Sequence, residues 1–180
     1  MKKRIITVIV ALCAVVALAT VLCACSAEQK FDDHLKNLEK SVGAAAETVT
    51  ETVIKDGDTV VYTKTVVVKK EGENSSVTTT ENKLGSSFDM EESKTSTTVP
   101  TATVVAPIKI TADSLATYAL TGEGFDCVIP AKNTAAVFGT EFNADVEVKV
   151  IFAGKNASKI ICELETATAK PVTVTITFAY

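Results

Sequence analysis

The chain has 180 residues, with 18 Lys and Arg against 22 Asp and Glu, a net charge of −4 and a single histidine. The acidic balance excludes the basic stripe that phosphate neutralisation on nucleic acid requires, and one histidine excludes the clustered imidazoles of many zinc sites. There is no Trp, and Tyr62, Tyr118 and Tyr180 are the only phenols, less aromatic surface than sugar- and peptide-binding grooves usually present.

Lys2-Lys3-Arg4 precedes an apolar run from Ile5 to Val21, broken only by Thr7 and Thr20, and the run ends in Leu22-Cys23-Ala24-Cys25. A basic start, an apolar core and a small-residue ending form the secretory pattern. The same run is long enough to span a bilayer as an uncleaved helix. Its ending resembles the lipobox of bacterial lipoproteins, with Leu22 at minus three, Ala24 at minus one and Cys25 as the modified residue; Cys23 is a competing site with Thr20 at minus three. The resemblance implies cleavage between Ala24 and Cys25 and a diacylglyceryl thioether of palmitate-type chains on the Cys25 sulfur. It also implies an extracytoplasmic address on the cell membrane, or on the outer membrane of a two-membrane host. Two or three acyl chains hold firmly where one binds marginally. The expected organisation is a signal peptide over 1–24, a lipidated Cys and tether over 25–30, and a single β-rich domain over 31–180 with a sub-boundary open near residue 100. Loss of the leader removes three basic residues and no acidic ones, leaving 156 residues with a net charge of −7, enough chain for one domain with a core.

Phe31, Leu35, Leu38, Val42 and Ala45 recur at steps of four and three among charged residues, which predicts an amphipathic helix over 28–46. Its stripe must be buried against something, most simply a sheet. From Thr48 the chain turns rich in Thr and Val. Asp56-Gly57 predicts a hairpin turn, Glu71-Gly72-Glu73-Asn74 and Leu84-Gly85-Ser86 mark the next turns, and four strands are expected near 48–55, 59–69, 75–83 and 88–98. Their apolar alternation is weak, so their burial should be shallow despite high β-propensity.

The second half is patterned more strongly. Ala102, Val104, Ala106, Ile108 and Ile110 share one parity, as in a strand. Thr117–Thr121 and Gly124–Ile129 read as a hairpin, Pro130 ends it, and Ala131–Phe138 reads as a short helix closed by Gly139. Three amphipathic strands follow, with Val146, Val148, Val150 and Phe152, then Ile160, Cys162 and Leu164, then Val172, Val174, Ile176 and Phe178 on their dry faces. The fold class expected is α+β, mainly β: a large curved antiparallel meander, half-barrel-like, with an N-terminal amphipathic helix and one short second helix.

A lipid anchor, one N-terminal amphipathic helix and a run of long antiparallel strands together resemble the LolA-like lipoprotein carrier superfamily over residues 28–180. That resemblance implies a curved half-barrel whose helix and sheet enclose an apolar cavity for acyl chains. The ending Phe178-Ala179-Tyr180 is similar to small lipoproteins of unassigned function.

No cofactor or metal is expected. His34 has no second ligand at metal spacing and no partner for a catalytic relay, Asp56-Gly57-Asp58 is explained by turn chemistry, and Cys127 and Cys162 have no neighbouring base, so the chain is not read as an enzyme. Cys127 and Cys162 sit at inward positions, either as an extracytoplasmic disulfide or as two buried thiols. Two functions remain. In one, the β domain binds an acyl chain or another lipoprotein, with Phe31, Leu35 and Leu38 as lid and Phe125, Ile129, Val148, Val150, Phe152, Ile160, Leu164, Ile176 and Phe178 as apolar lining. In the other, these residues fill a core and the Thr-rich strands meet a protein partner at an open edge.

Overall fold

The computed structural model describes residues 26–87, 89–165 and 170–180. A helix over residues 26–44 (α1) is followed by four strands, β1 (Glu47–Asp56), β2 (Thr59–Glu71), β3 (Asn74–Leu84) and β4 (Met90–Pro100). After a crossing segment come β5 (Thr117–Leu120), β6 (Gly124–Ile129), a 3-10 turn Ala131–Asn133 running into α2 (Thr134–Phe138), and then β7 (Val146–Ala153), β8 (Asn156–Glu165) and β9 (Pro171–Ala179).

The nine strands form one open antiparallel sheet in the order β4-β3-β2-β1-β9-β8-β7-β6-β5. Two meanders, β1 to β4 and β5 to β9, are joined where β1 pairs with β9, from Glu47 opposite Ala179 to Ile54 opposite Val172. Bulges at Ile54/Lys55 and at Ile151/Phe152 add bend and twist to the strands that carry them. The hairpin expected at Asp56-Gly57 forms: Asp56 pairs with Thr59 around the two-residue loop Gly57-Asp58, with Gly57 at φ 60°, the positive φ that a tight hairpin demands. Gly139 closes α2 at φ 71°, and its N–H donates to the Ala135 carbonyl at 2.9 Å, the left-handed cap that favours glycine.

α1 begins at residue 26, with the side chains of 26–30 exposed; Ala27, Glu28 and Gln29 are good helix formers that extend α1 without needing a packing partner. One expectation changes. The strand expected over 102–110 is instead an irregular crossing. β4 is one edge of the sheet and β5 the other, so residues 101–116 must pass over the sheet face. That traverse is about 38 Å at about 4.8 Å per strand, within the reach of the extended chain. Of the residues sharing that parity, Ile108 is buried and Val104 and Ile110 are half-buried, while Ala102 and Ala106 are exposed.

The core lies between α1, α2 and the inner faces of β6 to β9. Phe125, Ile129, Val146, Val150, Ile160, Cys162 and Ile176 have essentially no exposed surface, and each buried aliphatic or aromatic side chain is worth about 1.5–3 kcal/mol. Gly124 stands where any Cβ would press on the Val150 carbonyl and the Phe152 ring, so β6 approaches β7 at a spacing that only glycine allows. β2 and β3 are mostly half-buried and β4 almost wholly exposed, as the weak alternation of those strands predicts.

α1 crosses the inner face from β5 toward β1. At its start Phe31 stacks on Tyr118 with ring centroids 3.7 Å apart and meets Phe125 edge-on at 5.1 Å. In its last turn, the buried Ser41 hydroxyl accepts from the Ala157 N–H at 2.9 Å. At its end the Lys70 ammonium donates to the Gly43 carbonyl at 2.7 Å, placing a cation at the negative end of the helix. Ser41→Ala is expected to cost about 1–3 kcal/mol in urea unfolding, because it strands a buried N–H rather than merely removing a contact; a loss under a few tenths would mean that water replaces the hydroxyl.

Candidate functional site: a cavity between the helix, the first strands and the crossing segment

β1 and β2 lie beyond the reach of the filled core, and a cavity of about 820 Å³ opens over them. One wall is α1, through Leu35, Leu38 and Val42, continued by Ala45 just beyond its end; the floor is Thr48 and Thr50 of β1 with Val66 and Val68 of β2; the opposite wall is the crossing segment from Thr101 to Ala112. The lining is mainly apolar, with the hydroxyls of Thr48, Thr50, Thr101 and Thr111 among it and the charged side chains of Asp32, Lys36, Glu39, Lys70 and Lys109 bordering it. The volume falls within the roughly 300–1,000 Å³ of small-molecule sites.

The crossing segment is tied at its ends. Thr101 donates its N–H to the Glu73 carbonyl at 2.8 Å and its hydroxyl to the Gly72 carbonyl at 3.0 Å, with Ser75 Oγ also 3.0 Å away. Lys109 N–H donates to the Val137 carbonyl at 3.0 Å, and Asn133 Nδ2 donates to the Ser114 carbonyl at 3.1 Å. Between these ties Val104, Val105, Ala106 and Pro107 line the cavity, and Val105 is 86% exposed.

Of the residues singled out from sequence, Leu35 and Leu38 line this cavity. Phe31 belongs to the aromatic contact with Tyr118 and Phe125. Phe125, Ile129, Val148, Val150, Ile160, Leu164, Ile176 and Phe178 are in the filled core, and Phe152 packs against it with the His34 ring 4.8 Å away. None of those core residues lines this cavity: the helix and the strong C-terminal strands close on one another, and space remains over the weakly apolar strands. Val66, Val68, Ile108 and Ile110 were not singled out as lining. Their signal in the sequence was parity, Val66 and Val68 on one face of β2, Ile108 and Ile110 on one face of the crossing.

Beyond the floor the inner face turns polar. Lys64 Nζ lies 2.8 Å from Glu81 Oε1. The hydrogen bond to Glu81 raises the Lys64 pKa, and its counterpart lowers that of Glu81. The neighbouring Tyr62 phenol is pushed up by burial first and by the Glu81 charge second.

Cys127 and Cys162 are free and buried, which corrects the disulfide alternative. Both face Val148, one on each flanking strand, so they sit two strand spacings apart, about 9.6 Å, beyond the roughly 7 Å Cα limit for a bridge. Burial pushes each thiol from 9.0 up to about 12. The unfolded chain releases these protons near pH 9 and the folded chain only near pH 12, so the contribution of the neutral thiols to stability is intact below pH 9 and is lost as pH rises toward 12. At pH 8 both thiols are expected to resist an aromatic disulfide reagent in the native protein and to react stoichiometrically in urea; prompt native reaction would place a thiol at the surface.

Among the described residues no group of His, Cys, Asp and Glu could hold a metal ion, and no helix is long and apolar enough to cross a membrane. Ala24 and Cys25 lie outside the described residues. No protein-family model matches the chain, and none of the curated proteins compared with it matches.

Proposed function

We propose that the protein is a membrane-anchored extracytoplasmic lipoprotein whose β domain is a non-enzymatic carrier of a hydrophobic ligand, an acyl chain or the lipid of another lipoprotein. The observation that carries this reading is the apolar-lined cavity of about 820 Å³ bounded by α1, β1, β2 and the crossing segment. A filled interior packs near crystal density with few voids larger than water; the side chains between α1 and β6 to β9 are almost wholly buried, whereas those of β1 and β2 border the cavity. The order of elements that resembles LolA-like carriers, and the lipobox ending at Cys25, support the same reading.

Native mass spectra of the purified protein, before and after organic extraction, test it. The expected result is added mass that disappears on extraction, with a lipid recovered in near-stoichiometric amount. A clean apo mass that stays clean after incubation with fatty acids and phospholipids would overturn it.

A second reading has its own observation. β4 is exposed along its length apart from half-buried Val99, and it is an edge of the sheet, so a partner strand could add there. Glu91, Glu92 and Lys94 on β4 are the charges by which natural edges limit indiscriminate pairing. A persistently clean apo mass would direct attention to this edge.

A further inference from the structure

The inner face of β2 changes character within one side-chain step. Val68 and Val66 floor the cavity; the next residue on that face is Lys64, about 7 Å further along the strand. Lys64 faces Glu81 on β3, and one step beyond, Tyr62 faces Lys83, which in turn faces Glu91 on β4. The side chains of Lys64 and Glu81 are 40% and 39% exposed, so the pair is open to a ligand leaving the cavity. Two cations and two anions alternate here with no net charge.

We infer that the cavity and this patch form one site for a single-chain amphiphile with a zwitterionic head. The chain lies between α1, Val66 and Val68. The head lies on the Lys64–Glu81 pair, its ammonium toward Glu81 and its anionic group toward Lys64, with the Tyr62 hydroxyl beside them. The inference rests on the carrier reading and adds the class of ligand. A purely anionic head would meet Glu81 as closely as Lys64 and lose on one what it gains on the other. An uncharged head would leave the charge-assisted contacts unused. A zwitterion lets both protein charges exchange an exposed partner, weakly held in water, for a ligand partner of the same sign.

The test uses N-phenyl-1-naphthylamine, a neutral apolar fluorophore, displaced from the purified protein by dodecylphosphocholine, dodecanoate or dodecanol, each below the concentration at which it aggregates. One chain length isolates the head. Dodecylphosphocholine is expected to displace the fluorophore at about two- to fivefold lower concentration than the other two, the size of exposed charge contacts. The Lys64→Met/Glu81→Gln double variant is expected to bind the fluorophore as the parent does, which also reports that it is folded, and to lose the preference. Fluorophore binding with equal displacement by all three heads, or a preference that survives in the variant, would overturn the head assignment and leave the carrier reading standing. Failure of the parent protein to bind the fluorophore would overturn both.

Discussion

Phe125→Ala is expected to cost about 3–5 kcal/mol, the range for removing a fully buried phenylalanine. Phe125 has no exposed surface, faces Val150 across β6 and β7, and carries Phe31 edge-on at 5.1 Å. The truncation opens a cavity in the filled half and removes the seat on which α1 docks, so little of the void can collapse. Against a typical total stability of about 5–15 kcal/mol, that is about a fifth or more of what holds the domain together. Thr80→Ala, on the outer face of β3 opposite Thr65, is the control and should stay within about 0.5 kcal/mol. Urea unfolding of both variants measures the contrast. A cost below about 1 kcal/mol for Phe125→Ala would mean that the β6 to β9 half is loosely packed, and the division between a filled half and a hollow half would fail.

Cys25→Ser is expected to move the protein from the membrane fraction to the soluble extracytoplasmic fraction. The expectation comes from the lipobox resemblance of Leu22-Cys23-Ala24-Cys25. Each buried methylene of an acyl chain contributes about 0.8 kcal/mol, so two chains on one sulfur hold where one would exchange, and the serine variant has no thiol for the thioether. Fractionation followed by the intact mass of the product checks this. A parent protein whose intact mass carries no acyl chains and keeps residues 1–24 would show an uncleaved spanning leader and would overturn the lipid anchor.

The two halves of the sheet differ in what covers them. α1 carries one apolar stripe, and its first turns are used on the aromatic group of Phe31, Tyr118, Phe125 and Phe152. Only its last turns reach β1 and β2. The crossing segment supplies the second cover, bound at Thr101 and Lys109 and short of backbone hydrogen bonds between them. Openings of low free energy are drawn from such stretches, so ligand entry is expected past Val105 rather than through the sheet.

Local pattern was enough for most elements of this protein. Period-two alternation and Gly-containing turns located β1 to β9, the steps of three and four located α1, and Gly139 located the end of α2, because each of these signals depends on neighbours in sequence. The depth of burial was legible too: the Thr-rich strands lack an apolar face and lie shallow. Tertiary structure alone decided the rest. Pairing of β1 with β9 joins residues more than a hundred positions apart, and no local signal records it. That pairing puts β4 and β5 at opposite edges, which forces residues 101–116 across the face and makes a cover of what alternation reads as a strand. It also sets which half of the sheet α1 fills. The hydrophobic effect requires only that apolar faces meet; where they fall short of meeting, and so where a ligand can lie, is fixed by topology.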